Sequence, residues 1–365
     1  MDDSGLNRVS EPAPLPSSAI FARIAAIGFL LAAIAGLFLF AGGWLTPRSL
    51  TPAKLVNTFE RLDGVHAGFR RNHAKGVCVT GYFESNGQGQ ALSKAQVFGA
   101  GRVPLVGRFA LAGGQPYAAD TAQTVRSLAL LFKTSNGEEW RTGMINLPVF
   151  VVNTPEAFHE FLIVSSPDPQ TGKVDSAAMG AFIAKHPETA AAFKIIGSQP
   201  PASGFADTTY YGLNAFRFVN AKGEQTPVRW WIKPEQAAAQ ATAATTTDKN
   251  FLFDALIAQM HSGPLRWHLI VTVGQPGDPT AQASAAWPQD RQQIDVGTIT
   301  IDTIESEDTS PTRDINFDPL ILPDGISPSD DPLLSARSAA YSQSFTRREG
   351  EHKSPSAVST SEVAK

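Results

Sequence analysis

From Ile24 to Leu45 the chain has no Asp, Glu, Lys or Arg and is built almost wholly of apolar residues and glycine. A helix lets such a run satisfy its own backbone, and at about 1.5 Å per residue it reaches roughly 30 Å, the thickness of a bilayer's hydrocarbon core. Cleaved secretory signals usually have apolar cores of about 7 to 15 residues. This run is longer and comes after a polar segment, residues 1–23, so it reads as a transmembrane helix or an uncleaved signal anchor. Arg8 and Arg23 precede it while Arg48, Lys54 and Arg61 lie beyond it, so the basic-residue rule leaves its orientation open. A membrane helix this near the N-terminus often exports the domain attached to its C-terminal end. The expectation is therefore a single-pass protein whose main domain lies in a periplasmic or other extracytoplasmic space.

That main domain begins near Pro47. The whole chain of 365 residues leaves ample length for a large buried core. Charge is near balance, 30 Lys plus Arg against 34 Asp plus Glu, with no basic run that could track a phosphate backbone, so nucleic acid is not expected as a partner. The single cysteine, Cys78, cannot form an internal disulfide, and core packing must hold the fold. The 22 Phe against 5 Tyr and 6 Trp suit a core or cavity lined by rings without polar handles.

Thr51-Pro52 followed by Leu55 and Phe59 predicts a short helix. Beyond it lie apolar runs bounded by turn residues: Val77 to Phe83, Leu128 to Lys133 ending at Ser135-Asn136-Gly137, Leu265 to Val273 and Val296 to Ile301. Ala215 to Asn220 and Val228 to Lys233 flank Lys222-Gly223 as a hairpin. Ser176 to Lys185 and Asn250 to His261 read as helices, and Gln236 to Thr247 as a helix end running into a loop. So many strands joined by turns favour an antiparallel sheet large enough to close into a barrel, within an α+β class. The residues from Ser342 onward lose their apolar content, and 351–365 read as a disordered tail.

None of the seven histidines pairs with another His, Cys or carboxylate at a zinc spacing. Nucleophile elbow, phosphate-binding glycine loop and dinucleotide fingerprint are all missing from the sequence. On its own, His73 at the edge of a strand is an ordinary core or capping histidine.

Its neighbours change that. Arg70-Arg71-Asn72-His73-Ala74-Lys75-Gly76, running on to Gly81-Tyr82-Phe83, resembles the distal segment of haem catalases. Leu147-Pro148-Val149-Phe150, with Phe158 eight residues later, resembles the family's second distal segment. His186-Pro187-Glu188-Thr189, Tyr211-Gly212, Trp287-Pro288, Val296-Gly297 and Phe317-Asp318-Pro319 come next in the family's order. Gly325 to Ser329 then leads to Arg337-Ser338-Ala339-Ala340-Tyr341, which is similar to the proximal helix whose Arg-x-x-x-Tyr ligates iron. The resemblance runs from about Thr51 to about Gly350 and marks residues 47–350 as a catalase-like haem domain.

The resemblance implies a catalase-like antiparallel eight-stranded β-barrel with surrounding helices, a haem (iron protoporphyrin), and Tyr341 as the metal ligand. A phenolate is one of the known axial ligands of haem iron, and Arg337, one helical turn earlier, places a cation beside it. His73 would take a proton from bound peroxide and return it to the leaving oxygen, giving a ferryl intermediate. Arg70 would pair with a propionate. Phe150 and Phe158 would line the haem face, although plain core packing explains them almost as well.

Three positions depart from the pattern. The catalytic Asn of the family, five residues before Phe150, is Ile145, with Asn146 next to it as the remaining candidate. The haem-side Ser falls on Ala118, and a propionate-binding Arg falls near Gln123. These losses argue against fast catalase activity and fit the shorter catalase-related peroxidases, which reduce organic hydroperoxides or hydrogen peroxide with a small electron donor. A hydroperoxide isomerase on the same scaffold and a haem-binding membrane protein without turnover remain as alternatives. A homo-oligomer also stays open.

Overall fold

The computed structural model describes residues 16–42, 44–45, 49–200, 203–237 and 248–358. Two compact units result, Met1–Thr51 and Pro52–Lys365. Arg8, Arg48 and most of the Gln236 to Thr247 stretch lie outside the described residues.

Among its described residues the first unit holds one helix, α1 (Ser17–Ala41), with a mean hydropathy of 2.6 and no buried residue. It starts seven residues ahead of the predicted Ile24, taking in Arg23, and stops at Gly42, whose N–H donates to Phe38 O (2.8 Å). The helix is long and apolar enough to cross a membrane, a property that a signal sequence shares.

The second unit is built on strands β1 (Gly76–Ser85), β2 (Gly101–Leu111), β3 (Arg126–Lys133), β4 (Glu139–Ile145), β5 (Tyr210–Tyr211), β6 (Phe216–Val219), β7 (Gln225–Pro234), β8 (Leu265–Val273), β9 (Gln293–Glu305) and β10 (Ile326–Pro328). Eight of them close a ring in the order β7-β5-β4-β3-β2-β1-β9-β8, with β8 returning to β7. Every pairing is antiparallel, and β6 and β10 extend β7 outside the ring. This is the expected closed eight-stranded barrel, and closure leaves no long strand edge within the ring.

Period-two alternation fills the barrel. Leu128, Leu130 and Phe132 of β3, Val228, Trp230 and Ile232 of β7, and Leu265, Trp267, Leu269 and Val271 of β8 are all buried. Rings interlock among them: Trp140 stacks on Phe132 at 4.9 Å and meets Trp230 edge-on at 5.1 Å. Each such side chain stabilises the fold by about 1.5–3 kcal/mol through burial. Eight of the 22 phenylalanines belong to this buried core cluster, and four lie in α1.

Around the barrel stand α2 (Pro52–Asp63), α3 (Pro155–Ser165), α4 (Ser176–Lys185), α5 (Pro187–Gly197), α6 (Phe251–Ser262) and α7 (Pro332–Glu349). Proline in the first turn and a capping side chain start two of them: Thr154 accepts from Ala157 N ahead of α3, and Asp331 from Leu333 N ahead of α7. Helices α3 to α5 share a smaller apolar cluster that includes Val152, Ala157 and Phe182.

Residues 351–358, read from sequence as part of a disordered tail, make specific contacts here. Glu351 pairs with Arg71, Lys353 with Asp314, and Val358 is fully buried in the barrel core cluster. Composition could not show this, because each partner lies far away along the chain.

Candidate functional site

The outer faces of β2, β3 and β4 carry a row of small side chains. Ala110 pairs with Ser127 and Ser127 with Ile145, while Arg108 pairs with Ala129 and Ala129 with Gly143. Against this flat wall α7 turns one face, Leu333, Ala336, Arg337, Ala340, Tyr341, Ser344, Phe345 and Arg348, at the three- and four-residue spacing of a helix. Helix α2 closes another side with Leu55, Val56 and Phe59. The space between is a cavity of about 230 Å³.

His73, Arg70, Phe150, Phe158, Arg337 and Tyr341 all line this one cavity, although the chain separates the first from the last by most of its length. Asn146 does not line it. Its Oδ1 accepts from Arg126 N (3.0 Å), whereas Ile145, one step back along the strand, faces the cavity. Alternation along β4 puts Gly143 and Ile145 on the cavity side and turns the next residue away.

His73 is held by its backbone as well as its ring. Its φ of 55° is uncommon for a residue with a side chain. The conformation is pinned: Asn72 Oδ1 accepts from His73 N (2.9 Å) and from Gly113 N (2.9 Å), and Arg108 Nη1 donates to His73 O (2.7 Å). The ring's Nδ1 lies 3.1 Å from Ser127 Oγ. Burial, followed by the guanidiniums of Arg108, Arg337 and Arg70, depresses its pKa to about 3. The imidazole is therefore neutral throughout the physiological range.

Among the described residues five arginines line the cavity, Arg70, Arg71, Arg108, Arg337 and Arg348, and no carboxylate does. Just behind the wall, buried Glu307 bridges Arg108 (2.7 Å) and Arg70 (3.1 Å). Arg71 is balanced by Glu60 and Glu351. Arg348 Nη1 donates to Arg313 O (2.8 Å), and Arg337 donates to Asn214 Oδ1 and Gly143 O, all of them neutral partners. Buried cations without anions are costly, so the cavity's charge suits a ligand with more than one carboxylate.

Two glycines make the geometry possible. A Cβ on Gly143 would stand 3.3 Å from Tyr341 Oη and 3.5 Å from Arg337 Nη2, so the phenol and the guanidinium lie close over the bare backbone of β4. A Cβ on Gly76 would collide with the Arg108 guanidinium at 2.5 Å.

Ala118 and Gln123, read from sequence as the positions of the family's haem-side Ser and a propionate Arg, are not in the cavity. Ala118 O accepts from Lys75 Nζ (3.0 Å), and Gln123 is exposed. The hydroxyl beside His73 belongs to Ser127, and the additional cavity guanidiniums to Arg108 and Arg348. Arg108 and Ser127 escape the sequence reading because β2, with its Pro104, Gly107 and two arginines, does not read as a strand, so the register after it has no anchor. Pro104 is tolerated where β2 has only β1 beside it, just before its pairing with β3 begins at Leu105.

A flat wall, a phenol beside a guanidinium, a neutral buried imidazole and a surplus of buried cations together fit haem, a planar dicarboxylate with an iron at its centre. Among the described residues no group of three His, Cys, Asp or Glu could hold a metal ion unaided.

Comparison with known proteins agrees with this geometry. The catalase family model matches residues 45–361. A catalase-related peroxidase of Synechococcus elongatus is 37% identical over 301 residues, which cover 82% of this chain and 89% of that one. One of Mycolicibacterium paratuberculosis is 32% identical over 304 residues, covering 82% and 96%. Among solved structures, a fungal catalase superposes with a TM-score of 0.69 at 19% identity, over 81% of this chain and 63% of its own. Catalase A of Saccharomyces cerevisiae does so at 0.68 and 21%, over 82% and 64%. At that identity these two share the fold, and this chain spans less than two thirds of their length.

Proposed function

The chain belongs to the catalase family and is an oxidoreductase of peroxidase or catalase type; from that premise we propose that it is a haem-dependent peroxidase that reduces organic hydroperoxides or hydrogen peroxide with a small electron donor and has little catalase activity. The observation that carries this reading is the convergence of His73, Tyr341 and the unbalanced guanidiniums on one cavity. When bound, haem would supply the redox-active iron at which the O–O bond is cleaved and which holds the two oxidising equivalents until electrons from the donor, itself oxidised, discharge them. Tyr341 would ligate that iron through its phenolate, with Arg337 stabilising the negative oxygen. Arg70, Arg108 and Arg348 would hold the carboxylates.

His73 works as acid and base. Neutral, it accepts the proton of the incoming hydroperoxide and then delivers it to the oxygen that leaves, as water or alcohol. Phe150 and Phe158, with ring centroids 5.3 Å apart, keep bulk water out. Ile145 offers no hydrogen-bond donor to a second peroxide, which disfavours disproportionation and leaves an apolar surface for an alkyl group. The N-terminal helix would tether the domain to a membrane, with the domain on its extracytoplasmic side.

Steady-state kinetics of the purified, haem-loaded full chain with hydrogen peroxide and an alkyl hydroperoxide, with and without a donor dye, tests the proposal. Donor-dependent consumption is expected. Rearrangement without donor, or a haem spectrum without turnover, would overturn it.

A further inference from the structure

We propose that Arg229 of β7 is a positioning residue that sets the bore of the cavity at Phe150, and with it which hydroperoxides enter, by clamping the loop between β8 and β9. This rests on the peroxidase reading, in which Phe150 and Phe158 screen the cavity, and it adds what holds that screen in place. Residues 274–292 join the two strands without a helix or strand of their own. Their backbone carbonyls therefore need donors from elsewhere. Three of them converge on one side chain: Arg229 Nη1 donates to Ala285 O (2.7 Å), and Arg229 Nη2 to Gln282 O (3.0 Å) and Pro279 O (3.1 Å). The guanidinium also lies 4.7 Å from the ring centre of Trp287, whose Nε1 donates to Pro279 O as well (2.9 Å). A planar fork fixes several acceptors at once, which a single ammonium does less well.

The clamped loop reaches the cavity. Between two of those carbonyls stands Ala283, which lines the cavity, is 1% exposed and accepts from Phe150 N (2.9 Å). Its neighbour Ser284 donates its N–H to Asn153 Oδ1 (3.0 Å), so residues 150–153 are fastened to the loop twice. Phe150 sets its ring against Phe158, at 5.3 Å between centroids, and Phe158 against Phe59, at 6.3 Å. All three rings line the cavity. Arg229 is not one of the lining residues, so it acts through the loop alone. Loosening the clamp lets Phe150 yield, and the gain goes to hydroperoxides with bulky apolar groups, since hydrogen peroxide is small enough to pass in either case.

The test compares two peroxides of different size. Methionine keeps an apolar stem but has no donor, so in the haem-loaded full chain Arg229→Met should raise the ratio of kcat/KM for cumene hydroperoxide to that for hydrogen peroxide about fivefold or more. The change should sit in the KM for cumene hydroperoxide, with the KM for donor unchanged. Arg229→Lys should give a smaller rise, and Asn153→Ala, which cuts the loop's second tie, a rise in the same direction. In the full chain in detergent and without haem, the Phe150 amide should exchange with deuterium about tenfold faster in Arg229→Met, while amides of the barrel strands keep their rates. An unchanged ratio in Arg229→Met and Asn153→Ala, an unchanged Phe150 amide, or a uniform rise in exchange across the barrel overturns the proposal. Failure of the peroxidase reading shows itself separately, as absent turnover in the wild type, and the amide exchange then decides the clamp by itself.

Discussion

Replacing Glu307 by Gln removes one carboxylate and leaves two guanidiniums facing each other. The Glu307 side chain is 2% exposed and that of Arg108 3%, so solvent screens this pair little. Removing one partner of a buried ion pair typically costs about 3–5 kcal/mol. For a domain of this size each kcal/mol lowers Tm by about 2 °C, so the expected loss is about 6–10 °C. Thermal melts of the full chain in detergent, followed by circular dichroism, measure it. The pH dependence comes from the carboxyl's own shift. Burial raises its pKa, but Arg108, Arg70 and Arg313 together outweigh burial and hold it below the ordinary range. A depressed carboxylate contributes stability that is present above its unfolded pKa and is lost as pH falls through the folded value. The gap between wild type and Glu307→Gln should therefore be equal at pH 7 and pH 6 and shrink in acid below about pH 4.5. A Tm change under about 2 °C at pH 7 would refute the assignment of Glu307 as the counter-ion of Arg70 and Arg108.

Three further outcomes are expected at the same site. His73→Ala should retain haem and lose peroxidase activity by about two orders of magnitude or more, as measured by donor oxidation, because general acid–base help is typically worth that much. Since burial and the neighbouring guanidiniums keep His73 neutral down to about pH 3, kcat/KM for peroxide should be flat from pH 8 to pH 5; an acid limb centred near the ordinary histidine value of about 6.5 would contradict it. Gly143→Val should press on Tyr341 and Arg337, and with overpacking worth about 1–3 kcal/mol, haem affinity measured by titration should fall roughly five- to hundred-fold.

The sequence carries much of this fold at the level of single elements. Leu265 to Val273 is strand β8 and Ser176 to Lys185 is helix α4, because their patterns are local and uninterrupted. Strand β2 is illegible, since a proline, two glycines and two arginines look like a loop until its neighbours are known. That one gap misplaced the candidates at Ala118 and Gln123 and hid Arg108. Ser127 carries no local signal at all: only the pairing of β2 with β3 brings it to His73. Glu307 likewise reads as one acid in an acidic stretch until the fold buries it between two arginines. The reach of the chain up to Val358 was invisible for the same reason, as its partners are supplied by tertiary contact.

The central claim is that Tyr341 holds a haem iron in the cavity that His73 overlooks. Titrating the purified full chain with ferric haem and recording absorption spectra tests it most directly. One haem per chain is expected, with a phenolate-to-iron charge-transfer band that vanishes in Tyr341→Phe. Failure to take up haem, or the same band in Tyr341→Phe, would contradict it.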